Sequence, residues 1–162
     1  MIAMRAMPLS RFFALVLAAG MLLGDGAAYA ATKTPPYWAS LSANDARMRV
    51  GPSLDYPANW VYRRRNLPVK VVQVLNNWRK IEDPAGTQGW MHVRLLSDTA
   101  TAIVVVDEGD LRDKPDDGAR LKFRAEKGVV GKIDGCKDGW CQFDVGGKRG
   151  YILATSLWGG TE

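Results

Sequence analysis

The stretch NNWRKIEDPAGTQGWMHVRLLS, residues 76–97, decides the fold. It contains two short segments, 78–83 and 88–93, on either side of the turn Pro84-Ala85-Gly86. Short alternating segments bounded by Gly and Pro are typical of β-strands. A second stretch, DGWCQFDVGGKRGYILATSLWG at residues 138–159, repeats the same landmarks in the same order. The sequence therefore predicts a strand pair that occurs twice.

The two stretches belong to a longer duplicated unit. Trp78 aligns with Trp140 at an offset of 62, and Leu96 aligns with Leu157 at an offset of 61. A slowly drifting offset with matched landmarks indicates a tandem duplication. We therefore predict an all-β protein made of two small β-barrels that pack on each other. Domain 1 is expected over 38–98 and domain 2 over 99–162, after a short linker over 31–37.

The first 30 residues have the features of a secretory signal. Arg5 and Arg11 precede an apolar run over 12–23, and Ala28-Tyr29-Ala30 supplies the small residues of a cleavage site. The run is too short to span a bilayer, which predicts a cleavable helical signal peptide over 1–30 and a periplasmic location. An uncleaved N-terminal anchor is the alternative. No later segment is long or apolar enough for stable membrane insertion after cleavage.

The charge is unevenly divided between the two units. The whole chain has a formal net charge of +5, and removal of residues 1–30 lowers it to +4. Residues 37–98 hold nine basic and five acidic side chains, whereas residues 99–162 hold ten and eleven. Domain 1 is thus the half suited to an anionic partner. An exported protein with so modest a charge is not expected to bind nucleic acid.

The two cysteines are predicted to form a disulfide. An even number of cysteines in an exported chain indicates a bridge. If Asp138-Gly139 is a two-residue hairpin turn, Lys137 faces Trp140 and Cys136 faces Cys141. The bridge then acts as a local staple and not as a redox centre.

Three connected motifs in domain 1 resemble a known family. RMRVGPSLDYP, LPVKVV and NNWRKIEDPAGTQGWMH, followed by LLS, look like a bacterial SH3-like domain of the SH3b type. LRDKPDDGARL, GWCQFDVGGKRGYI and SLWG resemble a second copy. The resemblance is closest to exported tandem-SH3 proteins of Gram-negative bacteria. It implies five-stranded barrels and a non-enzymatic role at peptidoglycan or at protein partners.

This chain retains only part of the peptide-binding groove of the eukaryotic relatives. Those relatives bind proline-rich peptides between tyrosines, a tryptophan and a proline. Here only Trp78 matches in type, while His92 and Leu95 replace the proline and the final tyrosine. A proline-rich ligand is therefore not expected.

The candidate binding residues lie mainly in the domain 1 segment SLDYPANWVYRRR, which we predict to be a long loop. Its aromatic rings offer stacking faces, and its arginines can hold carboxylates such as those of peptidoglycan stem peptides. The alternatives are that the aromatic residues pack under the loop or against domain 2, and that the arginines form a solvated face. The candidates are Tyr56, Trp60, Tyr62, Arg63, Arg64, Arg65, Trp78 and His92.

Catalytic chemistry is not indicated. His92 is the single histidine, so a zinc site with several histidines is excluded. A Cys-His nucleophile needs a free thiol, which the predicted bridge removes. The acidic stretch 107–117 fits a solvated loop better than a calcium site. We expect no cofactor, no metal and no enzyme activity. The expected function is recognition of peptidoglycan or its stem peptides by domain 1, and the alternative is docking onto another envelope protein.

Overall fold

The computed structural model describes residues 33–161, and the predicted signal peptide lies outside the described residues. The first half of the described chain forms seven strands and one 3-10 helix, Val93–Leu95, which precedes the last strand. The strands are β1 (Tyr37–Leu41), β2 (Ala46–Arg49), β3 (Ala58–Tyr62), β4 (Pro68–Leu75), β5 (Trp78–Glu82), β6 (Gln88–His92) and β7 (Leu96–Ser97).

The second half repeats this series. A 3-10 helix, Ala154–Ser156, again precedes the last strand. The strands are β8 (Thr101–Val104), β9 (Glu108–Arg112), β10 (Leu121–Glu126), β11 (Val130–Lys137), β12 (Trp140–Val145), β13 (Lys148–Leu153) and β14 (Leu157–Gly159).

The strand order demonstrates the duplication. The first antiparallel sheet has the order β3-β2-β6-β5-β4-β1-β7, and the second has the order β10-β9-β13-β12-β11-β8-β14. Adding seven to every strand number converts the first order into the second. The predicted all-β fold with two tandem units is therefore confirmed, and we refer to the units as domain 1 and domain 2.

Each domain surrounds its own apolar core. Alternation along the strands decides which side chains enter it, because successive residues of a strand point to opposite faces. Ile81 of β5 is fully buried, as are Cys141 and Phe143 of β12, whereas Trp78 and Trp140 lie half-buried on the outer faces. The predicted facing of these two strands is confirmed.

The hairpin between β11 and β12 has the predicted register. Lys137 pairs with Trp140 and Cys136 pairs with Cys141, and the two cysteines form a disulfide. Asp138 and Gly139 both have positive φ, 52° and 81°, as a two-residue type I′ turn requires. The turn therefore sets the register that brings the two thiols together.

Apolar residues join the two domains. Ile103 of β8 and Val130 of β11 pack against the core of domain 1. The indole rings of Trp38 and Trp158 meet edge to face at a centroid distance of 4.8 Å. Lys70 adds a cation–π contact, with its Nζ 5.6 Å from the centre of the Trp38 ring. The domains thus share a packed junction, as the small size of each predicts.

Two expectations about the strands were wrong. The segment SLDYPANWVYRRR is not entirely a loop, because Ala58–Tyr62 forms β3 and pairs with β2. Each sheet has seven strands and not the five implied by the resemblance, because this pairing and the short strands at the two ends of each unit add to the count. A register shift between Met48 and Arg49 interrupts the pairing, and such bulges obscure the alternation from which strands are predicted.

Candidate ligand-binding site

Trp78 and His92 form the centre of a cleft on domain 1. They are cross-strand partners in β5 and β6, so their side chains lie on the same face of the sheet. Their ring centroids are 5.4 Å apart, and the rings are nearly perpendicular at 82°. The backbone N–H of Arg94 donates to Nδ1 of His92 at 3.2 Å. A neutral His92 therefore carries its proton on Nε2, which is a donor for a ligand.

We call this depression the Trp78 cleft. It has a volume of about 360 Å³ and is open to solvent. Its lining combines apolar side chains with several charged ones, so it offers both stacking and ion-pair contacts to a ligand. Its lining consists of Asp45, Arg47, Arg49, Leu54, Trp78, His92 and Leu95.

Two arginines make the cleft basic. Ala46 and Met48 are fully buried, so alternation along β2 turns Arg47 and Arg49 toward the outer face. Within residues 33–161, no carboxylate lies within ion-pair distance of either guanidinium. The Arg49 guanidinium donates to the carbonyl oxygen of Tyr56 at 2.5 Å, which fixes its direction. Neither arginine was among the candidates predicted from the sequence, although alternation along β2 places both on the outer face.

An apolar patch adjoins the cleft on the β2–β3 hairpin. Trp60 is 54% exposed and Tyr56 is 46% exposed, so domain 2 covers neither of them. Leu54, at 72% exposure, belongs to both the patch and the Trp78 cleft. Large apolar side chains exposed together are characteristic of interaction surfaces. These exposed side chains, which we call the hairpin patch, are Val50, Leu54, Tyr56, Trp60 and Val61, and the consecutive residues Trp60 and Val61 lie on opposite faces of β3.

Tyr62 is not a surface residue, which corrects its inclusion among the binding candidates. It is 7% exposed, and its hydroxyl donates to the buried Asp83 carboxylate at 2.9 Å. Asp83 also accepts the backbone N–H groups of Ala85 and Thr87, at 3.0 and 2.8 Å. Burial raises the pKa of Tyr62 well above its usual value, and the hydrogen bond and negative charge of Asp83 add to the rise. Tyr62 thus holds the β5–β6 turn in place.

The three arginines that follow Tyr62 separate from the aromatic candidates. Arg63 lies 3.7 Å from Asp45 at the rim of the Trp78 cleft. Arg64 and Arg65 line another cleft, together with residues of domain 2. The candidate residues therefore do not form one site.

Domain 2 has an aromatic cleft of its own, which sequence reasoning missed. Trp140 and Gln142 of β12 and Tyr151 of β13 share the outer face of the sheet, and Pro115 closes one side. The cleft has a volume of about 450 Å³. Alternation along β12 already placed Trp140 and Gln142 on this face, so the signal was present.

Several acidic side chains of the stretch 107–117 form ion pairs with basic side chains of domain 2. Arg112 lies 3.0 Å from Asp110, Arg124 lies 3.2 Å from Glu108, and Arg120 lies 3.6 Å from Asp113. Within the described residues, no three His, Cys, Asp or Glu side chains are grouped as a metal ion requires. Both cysteines are in the disulfide. No helix in the described part of the chain has the length and apolar character needed to cross a bilayer.

A family comparison agrees with the repeated sheet. The model of the bacterial SH3 domain matches residues 42–98 and, a second time, residues 105–159. The chain belongs to the bacterial SH3 domain family. The resemblance to two tandem bacterial SH3 domains is thereby confirmed, and such domains indicate a binding module.

Other comparisons add little. No curated protein matches the chain. Among solved structures, the tandem SH3 chain is similar to NlpC2 from Trichomonas vaginalis, with 15% identity and a TM-score of 0.36 over 78% of this chain and 49% of that one. NlpC1 from the same organism matches with the same identity, TM-score and coverage of this chain, over 46% of its own length. The chain thus spans about half the length of these solved structures.

Proposed function

We propose that this tandem SH3 protein is an exported, non-enzymatic binding module that recognises peptidoglycan stem peptides through the Trp78 cleft. The observation that carries the proposal is the meeting of Trp78 and His92 with two arginines in one open depression, where neither arginine forms an ion pair with the described residues. Stem peptides consist of flat amide groups and carboxylates. The indole ring is a stacking face for the amides, and the guanidinium groups of Arg47 and Arg49 are bidentate partners for the carboxylates.

The charge balance of the cleft supports an acidic ligand. Arg47 and Arg49 face one acidic residue, Asp45, which itself lies 3.7 Å from Arg63. The Trp78 cleft therefore keeps a positive potential that attracts carboxylates. His92 adds a hydrogen-bond donor at the centre.

Export to the periplasm is part of the proposal. Its basis is the sequence of residues 1–30, with basic residues, an apolar run and a small-residue cleavage site. N-terminal sequencing of the protein recovered from a periplasmic fraction tests it. We expect the mature chain to begin at Ala31, and recovery of an intact N-terminus from the cytoplasm contradicts export.

Co-sedimentation of the purified chain with peptidoglycan sacculi tests the ligand. We expect the wild-type chain to pellet, and the variants Trp78→Ala and Arg47→Glu to pellet about tenfold less, because each loses a direct contact with the ligand. Trp140→Ala is the matched control, since Trp140 is the domain 2 counterpart of Trp78. Circular dichroism checks that each variant is folded. Equal loss with Trp140→Ala, or no pelleting of the wild type, contradicts the proposal.

The same mixture tests the absence of enzymatic activity. A binding module leaves the sacculi intact, so we expect no soluble muropeptides after prolonged incubation. Release of muropeptides by the wild-type chain, with no release by a chain inactivated by heat, contradicts a purely binding role.

The exposed hairpin patch favours one alternative, which is docking onto another envelope protein. Trp60 and Val61 lie on β3, the edge strand of the first sheet, whose outer side has no partner strand in the described chain. Exposed edges of this kind accept a further strand. A pull-down from periplasmic extract with the purified chain tests this alternative. The alternative is correct if the wild-type chain captures a single periplasmic protein, Trp60→Ala captures none, and the wild-type chain does not bind sacculi.

A further inference from the structure

A second basic cleft lies between the two domains, away from the Trp78 cleft. Domain 1 contributes the turn between β3 and β4, and domain 2 contributes β11 together with the turn between β12 and β13. The volume is about 340 Å³. We call it the junction cleft, and its lining consists of Arg64, Arg65, Asn66, Val130, Gly131, Lys132, Asp144, Gly146 and Gly147.

The cations of the junction cleft form no ion pairs within the part of the chain that the structure describes. Arg64, Arg65 and Lys132 are all exposed, and within residues 33–161 no carboxylate lies within 4.0 Å of their charged nitrogens. The one carboxylate of the lining, Asp144, is already occupied. It accepts from Arg149 Nε at 2.7 Å and from the backbone N–H of Gly147 at 2.6 Å. The lining of the cleft therefore carries three positive side chains and one negative side chain.

Asp144 does not cancel this charge. The side-chain hydrogen bond from Arg149 and the backbone hydrogen bond from Gly147 hold the pKa of Asp144 below its usual value, so it is ionised at neutral pH. Arg149 is its nearest cation, and the charge of Lys132, its cross-strand neighbour, also lowers the pKa of Asp144. Asp134 also faces Arg149, but it lies outside the lining of the cleft. The lining of the junction cleft therefore has an excess of positive over negative side chains.

The backbone that carries the cations is held in place. Asn66 has a φ of 63° and donates its backbone N–H to the carbonyl oxygen of Leu41 at 2.9 Å, which anchors the turn that carries Arg64 and Arg65. Lys132 lies on β11, where it pairs with Thr101 on one side and with Asp144 on the other. A ligand therefore has to order side chains only and not backbone, which lowers the cost of binding.

One wall of the cleft is open to a ligand. Gly146 and Gly147 adopt φ values of 60° and 90°, and a Cβ atom on either would have no neighbour within 4 Å. Glycine is thus favoured at both positions by the left-handed backbone conformation and not by close packing. The opposite wall is the Arg64-Arg65 turn of domain 1. A compact anion in the cleft contacts both domains at once.

We propose that the junction cleft binds a phosphate group, held by Arg64 and Arg65 of domain 1 and by Lys132 of domain 2. Two guanidinium groups and an ammonium group suit the tetrahedral arrangement of phosphate oxygens. Phosphate carries more negative charge than a single carboxylate, so it gains more from a lining in which three cations outnumber one carboxylate. The ligand joins the two domains and stabilises their junction by binding only the assembled form.

Titration of the chain with pyrophosphate, followed by ¹H–¹⁵N NMR, tests the proposal. We expect saturable shifts at the amides of Gly131, Gly146 and Gly147, together with a rise in the thermal unfolding temperature. The triple variant Arg64→Gln, Arg65→Gln, Lys132→Gln is expected to bind at least about tenfold more weakly, since each residue removes a charge-assisted contact. Unchanged affinity of this variant overturns the proposal, and so does a wild type that shows neither these shifts nor binding to the vesicles described below.

A matched control separates a specific site from general attraction. The double variant Arg94→Gln, Lys114→Gln removes two exposed basic side chains outside the junction cleft. It is expected to bind pyrophosphate within about twofold of the wild type, because distant surface charges are screened by salt. A loss as large as that of the triple variant means that pyrophosphate responds only to net charge and overturns the site.

Vesicles distinguish the two sources of phosphate. Phosphatidylglycerol vesicles present phosphate as a lipid headgroup, whereas pyrophosphate represents the free form. Flotation with these vesicles that is lost in the triple variant assigns the site to a headgroup. Pyrophosphate binding without flotation assigns it to a free phosphate compound. Failure of both probes contradicts the junction cleft and leaves sacculus binding through Trp78 unaffected.

Discussion

Trp38 of domain 1 and Trp158 of domain 2 meet edge to face across the domain junction, with their ring centroids 4.8 Å apart and their planes at 86°. This geometry places the edge of one indole against the face of the other, which is the favourable arrangement for aromatic rings. Trp158 lies on β14, which pairs with β8, and Trp38 lies on β1, which pairs with β4. The contact therefore links β1 of the first sheet to β14 of the second sheet.

Trp158→Ala is expected to loosen the junction. The change removes the aromatic pair and leaves part of Trp38 uncovered, at a cost of about 2 kcal/mol in the free energy of unfolding. It also separates the two walls of the junction cleft. Small-angle scattering is expected to show a larger radius of gyration, and urea unfolding gives the stability. Trp60→Ala, which removes a mainly exposed indole, is the control and is expected to change neither.

Tyr62→Phe tests the buried hydrogen bond with Asp83. The variant keeps the ring but leaves the carboxylate without its tyrosine partner, so we expect a loss of about 1–3 kcal/mol in the free energy of unfolding. Tyr56→Phe changes a largely exposed tyrosine and is expected to cost less than about 0.5 kcal/mol. Denaturant unfolding compares the two variants. Equal stability of both variants and the wild type contradicts the proposed role of Tyr62 in holding the turn.

The same tyrosine predicts a dependence on alkaline pH. Burial, and then the hydrogen bond and charge of Asp83, raise the pKa of Tyr62 above the value of 10.0 expected in the unfolded chain. The folded state thus holds the phenol proton more firmly than the unfolded state does. The resulting contribution of Tyr62 to the free energy of unfolding is fully present below pH 10 and is lost as the pH rises above it. The free energy of unfolding of the wild type should therefore fall above pH 10 more steeply than that of Tyr62→Phe. If the free energies of unfolding of the two proteins fall equally steeply above pH 10, the raised pKa of Tyr62 is contradicted.

Reduction of the Cys136–Cys141 bridge is expected to destabilise domain 2 modestly. The bridge closes a loop with a sequence separation of only 5, so the loss is about 2 kcal/mol. Urea unfolding with and without reductant measures it. Cys136→Ser with Cys141→Ser provides a control that cannot respond to reductant. A wild type that unfolds identically under both conditions shows that the turn at Asp138-Gly139 suffices without the bridge.

Gly159→Ala is expected to lower the free energy of unfolding strongly, in contrast to Gly160→Ala. Gly159 has a φ of 146°, and a Cβ atom there would collide with the carbonyl oxygen of Thr101. We expect a loss of at least about 2 kcal/mol in the free energy of unfolding. Gly160→Ala is the matched control, because its nearest neighbour would be Ala100 at an ordinary 3.6 Å. Thermal unfolding that does not distinguish the two variants contradicts the close packing of β14 on β8.

The repeat was predictable because its landmarks are local. Trp78 and Trp140 begin corresponding strands, and the Asp138-Gly139 turn sets a register that follows from hairpin geometry alone. The outward direction of Trp78 followed from alternation with the buried Ile81, whereas the degree of its burial did not. Such features depend on residues near each other in sequence, where strand and turn preferences are informative.

The position of Tyr62 was not predictable in the same way. Its neighbours Trp60 and Val61 are exposed, and the arginines that follow give the segment the composition of a surface loop. Tyr62 is buried because Asp83, which is 21 residues away, approaches its hydroxyl. Arg64 and Arg65 face domain 2 for a similar reason, since the packing of Ile103 and Val130 on domain 1 brings the second sheet close. Contacts between distant segments decided both positions.

The most direct test of peptidoglycan recognition is a titration of the ¹⁵N-labelled chain with a soluble muropeptide that carries its stem peptide. The six indole N–H signals of the chain serve as separate reporters. We predict saturable shifts at the Trp78 indole and at the side chains of Arg47 and Arg49, with the Trp140 indole unmoved. Shifts confined to Trp140, or a spectrum that does not change, would contradict recognition of peptidoglycan by the Trp78 cleft.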